Sequence, residues 1–543
     1  MLSMNETSPV ELNPTEPNNN VSIDNRHSHA QFTLIPSEET EETNTLPTVL
    51  LPGGEIRIID AAEQLGLLLA DTGEIFVRGG VVHQLRQTGK NGEYSLVPVK
   101  AAMLCSAFEH VATLKVRRKS GDGHTDEPTT CSKAKAESIM TAREFKEQLT
   151  EIKVVTSYPV LVEKNGVPAV ITGLDEELGI LANGTAPEEM ELSEAVGLLL
   201  DLLGDFSFQK PSDLSRALSF LISPALGVGG LINERIPFQV CEADKSQSGK
   251  GFLLKLCSAI YGETPTVVTQ KGHGVGSIRE SFDHALVSGR PFISLDNVRG
   301  KVDCPALESF LTEDVYLSRI PYHGSIEINP SKYVICLTSN NAEMTRDLSN
   351  RCCTCRIRKQ PDDYQFKRYS EGSVLEHVRA NQHKYLGAVY TVLKVWYEMG
   401  KPTTDENRHA RKEWVGSMDW MVQYLFHCAP LMDDHLDIQD RMCSVYGNWL
   451  RDVAVAVVNT KPDEPLKVHE ICEICYESGI NLNGSQDISN QMSDAHVGRK
   501  LNAVFKGHTQ TEIDGIMIHR DQVSERDDRS RERSFHVYTF CMQ

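Results

Sequence analysis

Residues 236–260 read IPFQVCEADKSQSGKGFLLKLCSAI: an apolar run, a small polar turn and a second apolar run. Ile236 to Cys241 has the composition of a buried strand, and Phe252 to Ile260 that of an apolar helix. The turn at Ser248, Gly249, Lys250 and Gly251 is therefore placed at a helix N-terminus. Unpaired backbone N–H groups and the positive end of the helix dipole face outward there, so a phosphate can be held with little extra machinery. Lys250 adds a point charge suited to β- and γ-phosphates. The dipeptide itself is uninformative, because it recurs at Gly89-Lys90, Gly300-Lys301 and Gly400-Lys401.

Two positions depart from the pattern G-x-x-x-x-G-K-[ST]: Asp244 stands at the first glycine, and Gly251 stands where a Mg²⁺-ligating hydroxyl belongs. The metal then needs another ligand or a water, and the Asp244 carboxylate has to turn away from a triphosphate. An ordinary strand-turn-helix in an α/β domain remains the alternative for this stretch alone.

Outward from the turn, residues 291–297 read PFISLDN and place Asp296 at the end of an apolar strand, 296 − 250 = 46 positions after the lysine. A carboxylate at that edge of an open α/β sheet suits Mg²⁺ or its water, and a capping aspartate is the plainer alternative. Many related ATPases carry Glu where Asn297 stands, so the base is not obvious. Glu280 is a second carboxylate on the preceding helix, or simply a solvated one. Residues 333–341 read YVICLTSNN, a further apolar strand that ends in Asn340 and Asn341, amides able to orient a water. Arg351 follows 351 − 340 = 11 residues later, at a spacing that suits an arginine finger in a neighbouring subunit. Arg351 and Arg346 as surface ion-pair partners is the other reading.

Residues 315–329, VYLSRIPYHGSIEIN, alternate around His323-Gly324 as a β-hairpin does. Arg319, His323 and Lys332, with Tyr316 and Tyr322 to stack on bases, make it a candidate contact for single-stranded DNA. A plain hairpin with incidental basic residues reads equally well.

These motifs together resemble the AAA+ ATPase module of phage and mobile-element primase-helicases, close to superfamily-three helicases. The residues that carry the resemblance are Ser248-Gly-Lys-Gly, Leu295-Asp-Asn, Phe310-Leu-Thr, Arg319, Thr338-Ser-Asn-Asn and Asp347-Leu-Ser-Asn-Arg351, over residues 236 to 358. The resemblance implies an α/β P-loop NTPase core that uses ATP and Mg²⁺ on single-stranded DNA. It further implies a homo-oligomeric ring, a hexamer in most relatives, with sites at subunit interfaces. Residues 46 to 235 match more loosely, and no primase signature is present. A nucleotide-dependent DNA-binding or assembly protein with a poorly hydrolysing P-loop is the rival class. A small-molecule kinase is disfavoured by Arg351 and the hairpin.

At 543 residues and 40% hydrophobic the chain can bury several cores. No apolar stretch approaches the roughly 18 residues of a membrane span, and Met1-Leu-Ser-Met leads straight into polar residues, so a cytoplasmic protein is expected. Fourteen cysteines are too sparse for a disulfide scaffold, and the pairs Cys352/Cys355 and Cys472/Cys475 read as core thiols in preference to zinc ligands. A net charge of −20 argues against a protein that coats nucleic acid, so any DNA contact is local.

The organisation expected is a disordered tail over 1–45, then a β-rich α+β region over 46–190 that includes a hairpin from Glu74 and a polar linker or long loop from Ser120 to Lys133. The ATPase core follows over 191–360. A helical domain with its own core is expected over 361–460, because all four tryptophans (Trp396, Trp414, Trp420, Trp449) fall after the ATPase motifs. A winged-helix-like domain is expected to close the chain over 461–543, with Arg499 and Lys500 as candidate phosphate contacts and the Arg526 to Arg533 loop as the wing. Glu525, Asp527, Asp528 and Glu532 nearly cancel the loop's charge, so protein contact or plain solvation reads equally well there.

Overall fold

Five strands form the parallel part of the central sheet: β1 Phe238–Ala243, β2 Thr266–Thr269, β3 Phe292–Asp296, β4 Val334–Ser339 and β5 Cys352–Arg358. They lie side by side in the order β5-β1-β4-β3-β2, with Ser207–Phe208 added antiparallel outside β5. Every residue of β1 is buried, as a parallel strand covered on both faces requires. Alternate side chains serve opposite faces. Phe238 and Val240 enter one core with Phe282, Ile335 and Leu337, whereas Cys241 and Ala243 enter another with Cys336 and Cys355. Helices α1 Pro211–Gly229 and α2 Lys250–Ile260 cover the second face, and α3 Ile278–Val287 covers the first. The expected α/β P-loop-like core is thus present.

The computed structural model describes residues 46–88, 93–121, 123–243, 248–269, 278–296, 301–320, 324–340, 342–443, 446–480, 494–505, 508–526 and 532–542. The tail over 1–45, with Asp244, Asn297, His323, Asn341 and most of the Arg526 to Arg533 loop, lies outside them. Among the described residues no helix is long and apolar enough to cross a membrane.

The N-terminal region begins at Thr48–Leu50 and combines short strands with helices. Gly79 and Gly80, both at positive φ, turn Ile75–Arg78 into Val81–Thr88. The segment read as a polar linker folds instead: Gly123–Pro128 pairs antiparallel with Thr113–Ser120. All its side chains are exposed, so no apolar alternation marks the strand. Gly229 lets α1 press on this region, because a Cβ there would lie 1.9 Å from the Leu161 carbonyl oxygen.

The tryptophans do not build a core of their own. Trp396 and Trp414 join α1, α2 and the sheet in one apolar cluster, with Trp420 packed against it. Trp449 belongs to the C-terminal cluster, with Val497, Leu501 and Phe540. That C-terminal part has helices Val468–Glu477 and Asp494–Val504 and the sheet Gln510–Ile513, Ile516–Arg526 and Glu532–Met542, edged by Leu466–Lys467.

Candidate functional site

The turn after β1, expected from the sequence to hold phosphate, is shaped at its end by Gly249. It caps α2 in the left-handed conformation, φ 93°, and its carbonyl accepts from the N–H groups of Phe252 and Leu253 at 2.8 and 2.9 Å. A Cβ would also meet the Phe206 ring at 3.3 Å, so glycine suits the position twice over. The N–H groups of Lys250 and Gly251 open the helix, where no carbonyl of a preceding turn can pair with them. A Cβ at Gly251 would meet nothing within 4 Å.

Because β4 lies between β1 and β3, its C-terminal end reaches both the turn and Asp296. The half-buried Lys250 ammonium donates to Asn340 Oδ1. Thr338 Oγ1 donates to Asp296 Oδ1 at 2.9 Å. Three residues expected at the site, Lys250, Asp296 and Asn340, therefore gather at the carboxyl ends of adjacent parallel strands, where open α/β sheets bind ligands. Glu280 sits on the exposed first turn of α3.

Arg351 is elsewhere. It precedes β5, and its carbonyl accepts the Phe238 N–H at the start of β1. The six residues of β1 separate it from the turn by about 20 Å along the strand direction. Its guanidinium donates to the Asp347 carbonyl, and the Asp347 carboxylate lies 3.7 Å away. Arg346 pairs with Asp440 at 2.8 Å.

The hairpin Tyr316–Ile320 and Gly324–Ile328 forms with the expected alternation, but one face is inside the protein. Tyr316 is buried and donates to Asp283 at 2.7 Å; burial first, and then that hydrogen bond, push its hydroxyl pKa up, and burial takes the ring out of reach of a base. Arg319 is on the exposed face. Lys332 turns inward and donates to the Val228 carbonyl at 2.9 Å, and burial lowers its pKa to about 8. This removes Lys332 from the surface expected to touch DNA. Lys500 is diverted likewise, its ammonium 4.7 Å from the centre of the Trp449 ring and 5.2 Å from that of Tyr446. Cys352, Cys353 and Cys355 are buried in β5, and no metal-ligand cluster occurs among the described residues.

Glu242 was not singled out by the motifs. It is 1% exposed on β1, accepts the Ala342 N–H at 2.9 Å and pairs with Arg441 of α4 His435–Cys443. Its signal in the sequence is a lone carboxylate inside an apolar strand.

No family model matches the chain, and no curated protein matches it. Solved structures similar to it include the apo form of the NrS-1 C-terminal region, at 11% identity and a TM-score of 0.33, over 88% of this chain and 100% of that one. The SCCmec type IV Cch, described as an active helicase, is similar at 11% identity and a TM-score of 0.31, over 86% of this chain and 93% of that one. At these values neither likeness carries a functional argument, and the function rests on the site.

Proposed function

We infer that this chain is an ATP-dependent motor on single-stranded DNA, a replicative helicase of a phage or an integrated element. The observation that carries the reading is the meeting of Lys250, Asn340 and Asp296 at the carboxyl edge of a parallel sheet, beside a glycine-capped helix N-terminus. ATP with Mg²⁺ fits this donor set. The turn and Lys250 suit the phosphates and Asp296 suits the ion or its water, while bound Mg²⁺ neutralises charge on the transferred phosphoryl group. Asn340, with Asn341, would orient the attacking water through an amide that both donates and accepts.

Arg351 supports an oligomer. Lying across the sheet from its own turn, it can serve a phosphate only in a neighbouring subunit, as a finger does in a ring. Arg319 and, by its place in the sequence, His323 would face the DNA, and a net negative charge is compatible with that because the contact is local.

Gly251 favours a second reading, in which the turn binds ATP without hydrolysing it well and serves assembly or DNA binding. Strand displacement on a forked DNA duplex decides between the two. The motor reading expects ATP-dependent unwinding that Asp296→Asn abolishes. Binding of ATP and DNA with no unwinding by the native chain leaves the second reading.

A further inference from the structure

The Glu242–Arg441 pair is buried on both sides, 1% and 2% exposed at the side chains. Burying two charges costs more than an apolar pair of the same volume, so such a pair contributes little to stability and is better at fixing one geometry. Its contacts show which geometry. Glu242 Oε1 accepts the N–H of Ala342, two residues after Asn340, and also Arg441 Nη1 at 3.0 Å. Burial pushes the Glu242 carboxyl up, but Arg441 and the Ala342 N–H outweigh this and keep it ionised. One carboxylate on the strand that enters the phosphate turn thus holds the backbone two residues beyond Asn340.

Arg441 does not end there. Its Nη1 also donates to Asn448 Oδ1 at 2.9 Å, and Asn448 Nδ2 donates to Glu343 at 3.1 Å. Asn448 lies near the start of α5 Gly447–Thr460, whose Trp449, Leu450 and Val453 are part of the C-terminal core. Beside this chain, Asp514 of the C-terminal turn reaches Arg356 of β5 at 3.3 Å, and Arg356 stands opposite Glu242 in register. The winged-helix-like part is therefore docked on the two strands next to the phosphate turn through buried charges.

We propose that Glu242 is a positioning residue that holds Asn340 in place for turnover, and that Arg441 and Asn448 make that placement depend on the docking of the C-terminal part. This rests on the ATPase reading given above. Docked, the Ala342 N–H is held and Asn340 meets Lys250. Released, Arg441 loses Asn448, the carboxylate follows Arg441, and the sensor turn moves off the phosphates.

The test measures turnover and ATP-analogue affinity in the full chain for the double variant Glu242→Met with Arg441→Met, which removes both charges at similar volume and leaves Ala342 without an acceptor. The expected result is a cooperative thermal transition, affinity within about threefold of native and turnover reduced tenfold or more. Glu242→Gln with Arg441→Met restores an acceptor for Ala342 and is expected to recover most of that loss, which a merely structural pair would not do. Native-like turnover in the Met/Met variant, or no recovery in the Gln/Met variant, overturns the proposal. If Met/Met does not fold, Glu242→Gln alone decides: the proposal expects turnover within threefold of native, and a tenfold loss at unchanged affinity overturns it. The native chain and Lys250→Ala run alongside, and no native turnover above Lys250→Ala overturns the ATPase reading and this proposal with it.

Discussion

Lys250 donates its ammonium hydrogen to Asn340 Oδ1, joining the turn after β1 to the end of β4 across 90 residues of sequence. The contact sets the roles of both residues apart. On the reading proposed above, Lys250 would be the charge that meets phosphate, while Asn340 would hold it until phosphate arrives and then turn to the reaction. Asn340→Ala is expected to lower turnover by about 10²-fold, the scale of one lost transition-state hydrogen bond, with ATP affinity unchanged or slightly tighter. Single-turnover hydrolysis and equilibrium titration measure the two separately. An equal loss in both contradicts the assignment.

Gly251 faces open space, so a hydroxyl can be added without a clash. Gly251→Ser should strengthen binding of ATP in the presence of Mg²⁺ by roughly fivefold, the worth of about one added hydrogen-bond-scale contact, and leave Mg²⁺-free binding unchanged. Titrations with and without chelator check this, and equal effects in both would show that the metal is held elsewhere.

Arg319 and Lys332 separate a surface cation from a buried one. Arg319→Ala should weaken binding of single-stranded DNA and reduce the salt slope by about 0.7, as one phosphate contact per subunit requires. Lys332→Met should leave DNA binding alone, because its ammonium lies on the Val228 carbonyl. Binding isotherms at several salt concentrations distinguish them.

Trp396 is 1% exposed in the cluster that also holds α1 and α2. Trp396→Ala should cost about 3–5 kcal/mol and lower the transition of the whole central sheet, without melting a separate helical domain. Calorimetry showing an early transition confined to a small enthalpy would contradict the shared core.

Two buried histidines should make the protein acid-sensitive. Burial lowers His409 to about 3, with His435 the next cause, and lowers His435 to about 4, with Arg216 the next. Between the usual value near 6.5 and those values the unfolded chain binds more protons, so stability falls as pH falls through that window. From pH 7 to pH 5 the loss is on the order of 2 kcal/mol for each ring. Urea midpoints at the two pH values measure it, and His435→Asn should flatten the dependence.

Strands β1, β3 and β4 were legible because each is a mostly apolar run ending in polar residues, whereas β2 is only four residues long and β5 carries Thr354, Arg356 and Arg358 among its apolar positions. Lys250, Asp296 and Asn340 follow from those ends. What the sequence could not show were the directions of long side chains and contacts across great separations. Lys332 and Tyr316 turn inward for partners at Val228 and Asp283. Glu242 finds Arg441 199 residues away, and nothing local foretells it. Gly123–Pro128 escaped because an exposed strand carries no pattern.

The decisive measurement is ATP hydrolysis with and without single-stranded DNA, in the native chain and in Lys250→Ala. A motor at this site gives hydrolysis that DNA stimulates and the substitution abolishes. Hydrolysis no greater than that of Lys250→Ala under either condition would contradict it.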